Sequence, residues 1–188
     1  MSTLLKLKVH EFDEMAAGGA FDALRHRHIE LIRGELREMS PISIWHSILV
    51  AWLNRWSFRH APEETWIWVA SGIGIPELDS VPQPDLTWIR QDISRKHHPQ
   101  PADVMLLIEV SCSSLSYDLG EKKDLYARAG IQEYWIVDAD GRKVHVFRNP
   151  SGNQYNESIT VGSEESIASL AEPTALLDVA KLFLAGAR

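Results

Sequence analysis

Apolar positions along the chain change their period several times, and each change predicts an element. From Ser43 to about Arg59, Trp45, Ile48, Leu49, Trp52, Leu53 and Trp56 recur every three or four residues. That spacing collects them on one face of a core-facing helix, which Pro62 helps to stop. Ahead of it, LKVHEFDEMAA predicts a short helix broken at Gly18-Gly19, and IELIRGELREM predicts two short strands joined in a hairpin at Arg33-Gly34. TWIWVASGIGI reads as a strand interrupted at Gly72, and PDLTWI as another. The polar stretch from Arg90 to Pro101 predicts a surface loop.

DVMLLIEV is the most apolar segment and lacks alternation, which predicts a strand buried on both faces of a mixed sheet. After the polar SCSSLS, a helix is expected from about Tyr117 to Ala129, closed by Gly130 just beyond its end. EYWIVD and KVHVFR follow as strands around Asp140-Gly141, then a strand over Tyr155 to Val161 and a short helix near Asp178 to Leu184. This order predicts an α/β or α+β domain, a central mixed β-sheet flanked by helices, spanning 1–188 as one unit. Regular βαβ alternation is missing, as are GxGxxG and GxxxxGK[ST], so a nucleotide cofactor has no anchor.

Charge and composition narrow the partners. Nineteen basic residues against 26 acidic give a formal net charge of −7, so nucleic acid would have to be engaged at a local site and not by a broad basic surface. One cysteine rules out an intrachain disulfide and a zinc site with two thiolates. No run approaches the roughly 20 apolar residues of a membrane span, and the start turns acidic too early for a signal peptide. A soluble cytoplasmic protein is expected. The seven tryptophans read chiefly as core and interface packing.

The most informative position is Lys122. Projected at about 100° per residue, its helix gathers Leu119, Leu125, Tyr126 and Ala129 on the apolar face, with Asp124 and Arg128 pointing away. Lys122 falls inside that face, four residues after Asp118. Lysine is almost never buried unpaired. Either Asp118 and Lys122 pair along the helix while the lysine stem runs past Tyr126, or Lys122 points at carboxylates or a phosphate in a pocket. The strands offer such carboxylates: Asp85 opens PDLTWI, and Glu109 ends an otherwise apolar run. Each has a structural reading, Asp85 as a turn acceptor and Glu109 as a salt-bridge partner of Lys122. Together, two strand-end acids can hold Mg²⁺, which activates water and polarises a phosphodiester, while an ammonium offsets transition-state charge.

The segments IELIRGELREMSP (29–41), PQPDLTWI (82–89) and LLIEVSCSSLSYDLGEKKDLYARAGIQEYWIVD (106–138) resemble the Uma-two family of endonuclease-like proteins, within the PD-(D/E)XK superfamily. The resemblance runs from about Phe12 to Leu184. It implies a restriction-endonuclease-like core and a DNA endonuclease dependent on Mg²⁺ or Mn²⁺. By the same resemblance, Asp85 and Glu109 are the metal ligands and Lys122 assists the attacking water. Glu30 matches a family glutamate, which implies a further ligand or a water-positioning group; its place in the hairpin equally allows an exposed charge. A homodimer that cuts both strands is also within the superfamily's habits.

The superfamily's usual lysine lies two residues after the second acid, where this chain has Ser111; the lysine has moved to the helix. Relatives commonly read S-P-S after the EV strand, and here Ser111-Cys112-Ser113 replaces it, with Cys112 an incidental small residue. The fold also serves catalytically silent binding or assembly modules, and the acidic charge keeps a small-phosphodiester hydrolase open. Arg25-His26-Arg27-His28 and Arg95-Lys96-His97-His98 are basic clusters able to touch phosphates or remain solvated, and His46, beside the tryptophan stripe, reads either as a satisfied edge histidine or as one that approaches the site. Replacing Lys122 with alanine is expected to remove cleavage and leave the fold intact.

Overall fold

The apolar run Val104–Ser111 forms the middle of the molecule. The computed structural model describes residues 3–24, 27–39, 41–94 and 96–184. Strand β5 (Val104–Ser111) has neighbours on both sides in a six-stranded sheet, and seven of its eight residues are buried. The sheet runs β3 (Thr65–Val69), β4 (Leu86–Arg90), β5, β6 (Glu133–Asp138), β7 (Lys143–Ser151), β8 (Gln154–Val161). Every adjacent pair is antiparallel except β5 and β6, which are parallel, so the sheet is mixed. A parallel pair needs a crossover, and here the helical segment between Leu115 and Arg128 supplies it. The fold is α+β, a central mixed sheet flanked by helices, as the pattern predicts.

Alternation sorts side chains to two cores. Ile108, Val110, Trp135, Val137, Val144 and Val146 face α2 (Ile44–His60) and α5 (Val179–Leu184), where Leu49, Leu53, Trp56, Leu182 and Phe183 pack. Trp56 lies 5.4 Å from Trp88 and 6.0 Å from Trp135, ring centre to ring centre, and fixes α2 against the sheet. On the opposite face Leu107, Tyr134, Ile136 and Phe147 meet Leu125, Tyr126 and Ile131 of the crossover region. Glu109 belongs to that second face by parity, between Ile108 and Val110 of the first.

Several expectations hold in detail. The short helix near the start is α1 (Val9–Ala17), the hairpin is β1 (Ile29–Ile32) with β2 (Glu35–Glu38), and Ser43 caps α2 by accepting a bond from His46 N at 3.1 Å. Others change. The TWIWV strand ends at Val69, because Ala70 turns left-handed at φ 47° and the chain leaves the sheet before Gly72. The expected Tyr117–Ala129 helix is three segments in succession, α3 (Leu115–Tyr117), a π-turn (Asp118–Lys122) and α4 (Lys123–Arg128). A small sheet of β9 (Ser166–Ala168) and β10 (Leu176–Asp178) has no counterpart in the expectation; three-residue strands carry no readable period. No helix among the described residues is long and apolar enough to cross a membrane.

The first hairpin matters because of what it carries. Arg33 and Gly34 both have left-handed φ, 53° and 82°, as a two-residue turn of the I′ kind requires. Val81 N donates to Leu31 O at 2.7 Å and Gly34 N to Asp79 O at 2.8 Å, so β1 lies against the segment leading to Asp85. A Cβ at Gly34 would stand 2.7 Å from Lys6 Cβ. Gly34→Ala is therefore expected to cost about 1–2 kcal/mol from the left-handed conformation alone, and more from the contact, measured by urea unfolding.

Candidate active site

Glu109, Lys122, Glu30 and Asp85 come from four separate places in the chain; Asp85, Glu109 and Lys122 line one cavity, and Glu30 reaches Lys122 from behind it. Glu109 sits near the end of β5 under the crossover. Lys122 closes the π-turn and is 1% exposed, while Glu109 is 4% and Glu30 0% exposed. The Lys122 ammonium donates to Glu109 Oε1 at 2.8 Å and to Glu30 Oε1 at 3.1 Å. Tyr126, one turn further along, donates its hydroxyl to the same Glu109 Oε1 at 2.8 Å. Gln83 N, beside Asp85, donates to Glu30 Oε1 at 2.6 Å, and Glu30 Oε2 is buried without a partner.

Asp85 stands just ahead of β4. Its Oδ2 accepts from Val110 N at 2.7 Å, and its Oδ1 lies 3.0 Å from His46 Nε2. A long contact of 3.4 Å runs from Asp85 N to Glu109 Oε2 and ties the two acids together. These residues line part of a cavity of about 320 Å³, with His28, Ser43, Ala70, Cys112 and Asp118 elsewhere on its wall. The cap of α2 thus serves the site twice, since Ser43 starts the helix whose first turn carries His46.

The pairing of Asp118 with Lys122 along the helix does not occur. Asp118 Oδ2 instead accepts from Ser111 Oγ at 2.5 Å and Ser114 Oγ at 2.6 Å. A π-turn shifts the helical phase at this point, and π-turns recur where function requires a side chain to be re-aimed. The two serines that replace the expected lysine position and its neighbourhood hold this third acid.

The electrostatics follow from the count: one ammonium faces Glu109, Glu30 and Asp118 in a buried space, with Asp85 beside Glu109 at its edge. Burial pushes the Glu109 carboxyl up to about 8, opposed by Lys122 and reinforced by Asp85, Asp118 and Glu30. Burial also raises Asp118. For Lys122, burial disfavours the charge, but Glu109, Glu30 and Asp118 outweigh it and hold the ammonium above the ordinary lysine value. The surplus is negative, which suits a cation.

Among the described residues, no three His, Cys, Asp or Glu side chains form a ready metal cage. The donor set is a pair of carboxylates, Asp85 and Glu109, on a cavity wall with room for water. Mg²⁺ is held in just this way, by one or two carboxylates with its remaining positions filled by water. Glu109 Oε2, with only the 3.4 Å contact, is the less committed oxygen of the pair. The donor chemistry therefore fits a small hard cation.

Of the two readings of His46, the one that brings it to the site holds: it touches Asp85, and among the described residues its Nδ1 is buried without a partner. Sequence patterns passed over two contributors. Tyr126 appeared as core alone, and Gln83 gave no signal because it acts through its backbone. In the basic clusters, Arg25, His26 and Arg95 lie outside the described residues. Arg27 is paired with Glu38 and His98 with Asp13, while His28 lines the cavity.

Comparison with known proteins bears on this geometry. The family model Uma2, described as "Putative restriction endonuclease", matches residues 9–180. No curated protein matches the chain. In fold the chain is similar to the crystal structure of "a putative nuclease belonging to DUF820" from Anabaena variabilis, with a TM-score of 0.72 and 14% sequence identity over 95% of this chain and 98% of that one. At that identity the likeness is one of fold: the two chains share the same architecture over nearly their whole length.

Burial changes what removal of Lys122 would do. Without the ammonium, Glu109 and Glu30 are left as buried uncompensated acids, so the fold is not expected to be indifferent. Lys122→Met should cost about 3–5 kcal/mol near pH 8 and above. Because the folded state raises the Glu109 pKa above its ordinary 4.5, to about 8, it holds a proton there that the unfolded chain releases. The folded state therefore gains as pH falls from about 8 towards 4.5, and losing the ammonium raises Glu109 further. The penalty should shrink on acidification, and Glu109→Gln added to Lys122→Met should recover part of it. Urea titrations across pH check both.

Proposed function

The chain belongs to the Uma2 family, and on that footing we propose that it is a DNA endonuclease that uses Mg²⁺ or Mn²⁺ to hydrolyse phosphodiester bonds. The observation that carries the proposal is the convergence of Asp85, Glu109 and Lys122 on one cavity, with Glu30 buried behind its wall and bonded to Lys122. Asp85 and Glu109 hold the cation. When bound, the cation supplies Lewis acidity, polarising the phosphodiester and lowering the pKa of a nearby water.

The side chains divide the remaining work. Lys122 is kept as an ammonium by its acids, so it takes no proton from water. It assists by donating and by offsetting negative charge as the phosphorus becomes five-coordinate. Glu30 is buried behind the cavity wall, where its Oε1 accepts from Lys122 and from Gln83 N, so it acts by holding the ammonium in place. Asp85 is held by the Val110 backbone and by His46, so its carboxylate is oriented before any substrate arrives.

Cleavage of supercoiled plasmid and of single-stranded DNA in Mg²⁺, Mn²⁺ or EDTA tests the proposal. Wild type should nick plasmid with either metal and not in EDTA, and Asp85→Asn, shown to be folded by circular dichroism, should fall to background. Folded wild type that cuts nothing in either metal would point to a silent module. Cleavage of a small diester without any of DNA would point to a small-phosphodiester hydrolase.

A further inference from the structure

Glu109 is held asymmetrically. Its Oε1 accepts from two donors at 2.8 Å, the Lys122 ammonium and the Tyr126 hydroxyl, whereas Oε2 receives only the 3.4 Å contact from Asp85 N. The two donors reach one oxygen because positions 122 and 126 are four apart and share a side of the helix. Two short bonds on one oxygen fix the carboxyl rotation and leave the other oxygen towards Asp85.

Lys122 divides its ammonium between Glu109 and Glu30, so its direction alone does not set the Glu109 plane. Tyr126 has no such division: Glu109 is its partner, and its ring is wedged at 5.0 Å edge-on to Tyr134 in a core where both are fully buried.

We propose that Tyr126 is a positioning residue for the metal: by occupying Glu109 Oε1 it makes Oε2 the single oxygen that Glu109 presents, with Asp85, to the cation. This rests on the two-carboxylate metal site proposed above. Partners that orient a ligating carboxylate from behind typically change metal affinity by roughly 10–100-fold when removed.

Tyr126→Phe keeps the ring and deletes only the hydroxyl, while Lys122 still satisfies Oε1. Tyr134→Phe is its matched control, since it removes a hydroxyl from the same core that donates to Asp118 O at 3.3 Å and does not touch Glu109. Mn²⁺ binding is measured by electron paramagnetic resonance on the metal-free proteins, with melting temperatures alongside. Tyr126→Phe should bind Mn²⁺ roughly 10-fold more weakly or worse, at a melting temperature close to wild type, and Tyr134→Phe should bind as wild type does. Equal binding by Tyr126→Phe and wild type overturns the inference while leaving the metal site standing. An equal loss in both variants also overturns it, since the loss would then be a general loosening of the core. Wild type that binds no Mn²⁺ overturns the two-carboxylate site itself, and this inference with it.

Discussion

A buried ammonium dictates the arrangement of this protein. Lys122 is almost wholly buried and cannot be left unpaired, so the fold must deliver acids to it from elsewhere in the chain. It receives Glu109 from the central strand and Glu30 from the first hairpin. Those acids in turn outnumber it once Asp85 and Asp118 are included, and Glu109 holds its proton far above the usual carboxylate range. A site of this kind is not an economical way to stabilise a fold, because apolar residues of similar volume often do as well or better. Its surplus negative charge is better explained by something positive that binds there.

Each feature of the architecture that seems incidental serves that delivery. The one parallel strand pair, β5 with β6, requires a crossover, and the crossover lays Lys122 and Tyr126 over Glu109. Alternation along β5 sends Ile108 and Val110 to the tryptophan-lined core and Glu109 to the other face. The I′ turn at Arg33-Gly34 and the bridge from Val81 to Leu31 set the hairpin so that Glu30 reaches Gln83 N. The capped start of α2 brings His46 to Asp85.

Much of the fold was legible because long periodic segments declare themselves: the α2 stripe, the non-alternating β5 and the Gly130 stop each appear where their pattern put them. Lys122 was legible for a different reason, as a charge inside an apolar face. Of the two partners the sequence offered, Glu109 is the one it meets; Asp118 is not, since a π-turn carries no sequence period and turns Asp118 to Ser111 and Ser114. Asp85, Glu109 and Glu30 were marked by strand-end acids and by family resemblance, and their contacts with Lys122 and with one another bridge long stretches of chain. Tyr126 stayed hidden because it looks like an ordinary member of a helix face; only tertiary proximity shows that its hydroxyl touches Glu109.

The central claim is that Asp85 and Glu109 hold a divalent cation. Crystals grown with Mn²⁺ and measured at the manganese absorption edge test it most directly. The account predicts an anomalous peak in the cavity, within coordination distance of both carboxylates and absent from crystals of Asp85→Asn. A peak that lies elsewhere, or a well-ordered site with no peak at saturating Mn²⁺, would contradict it.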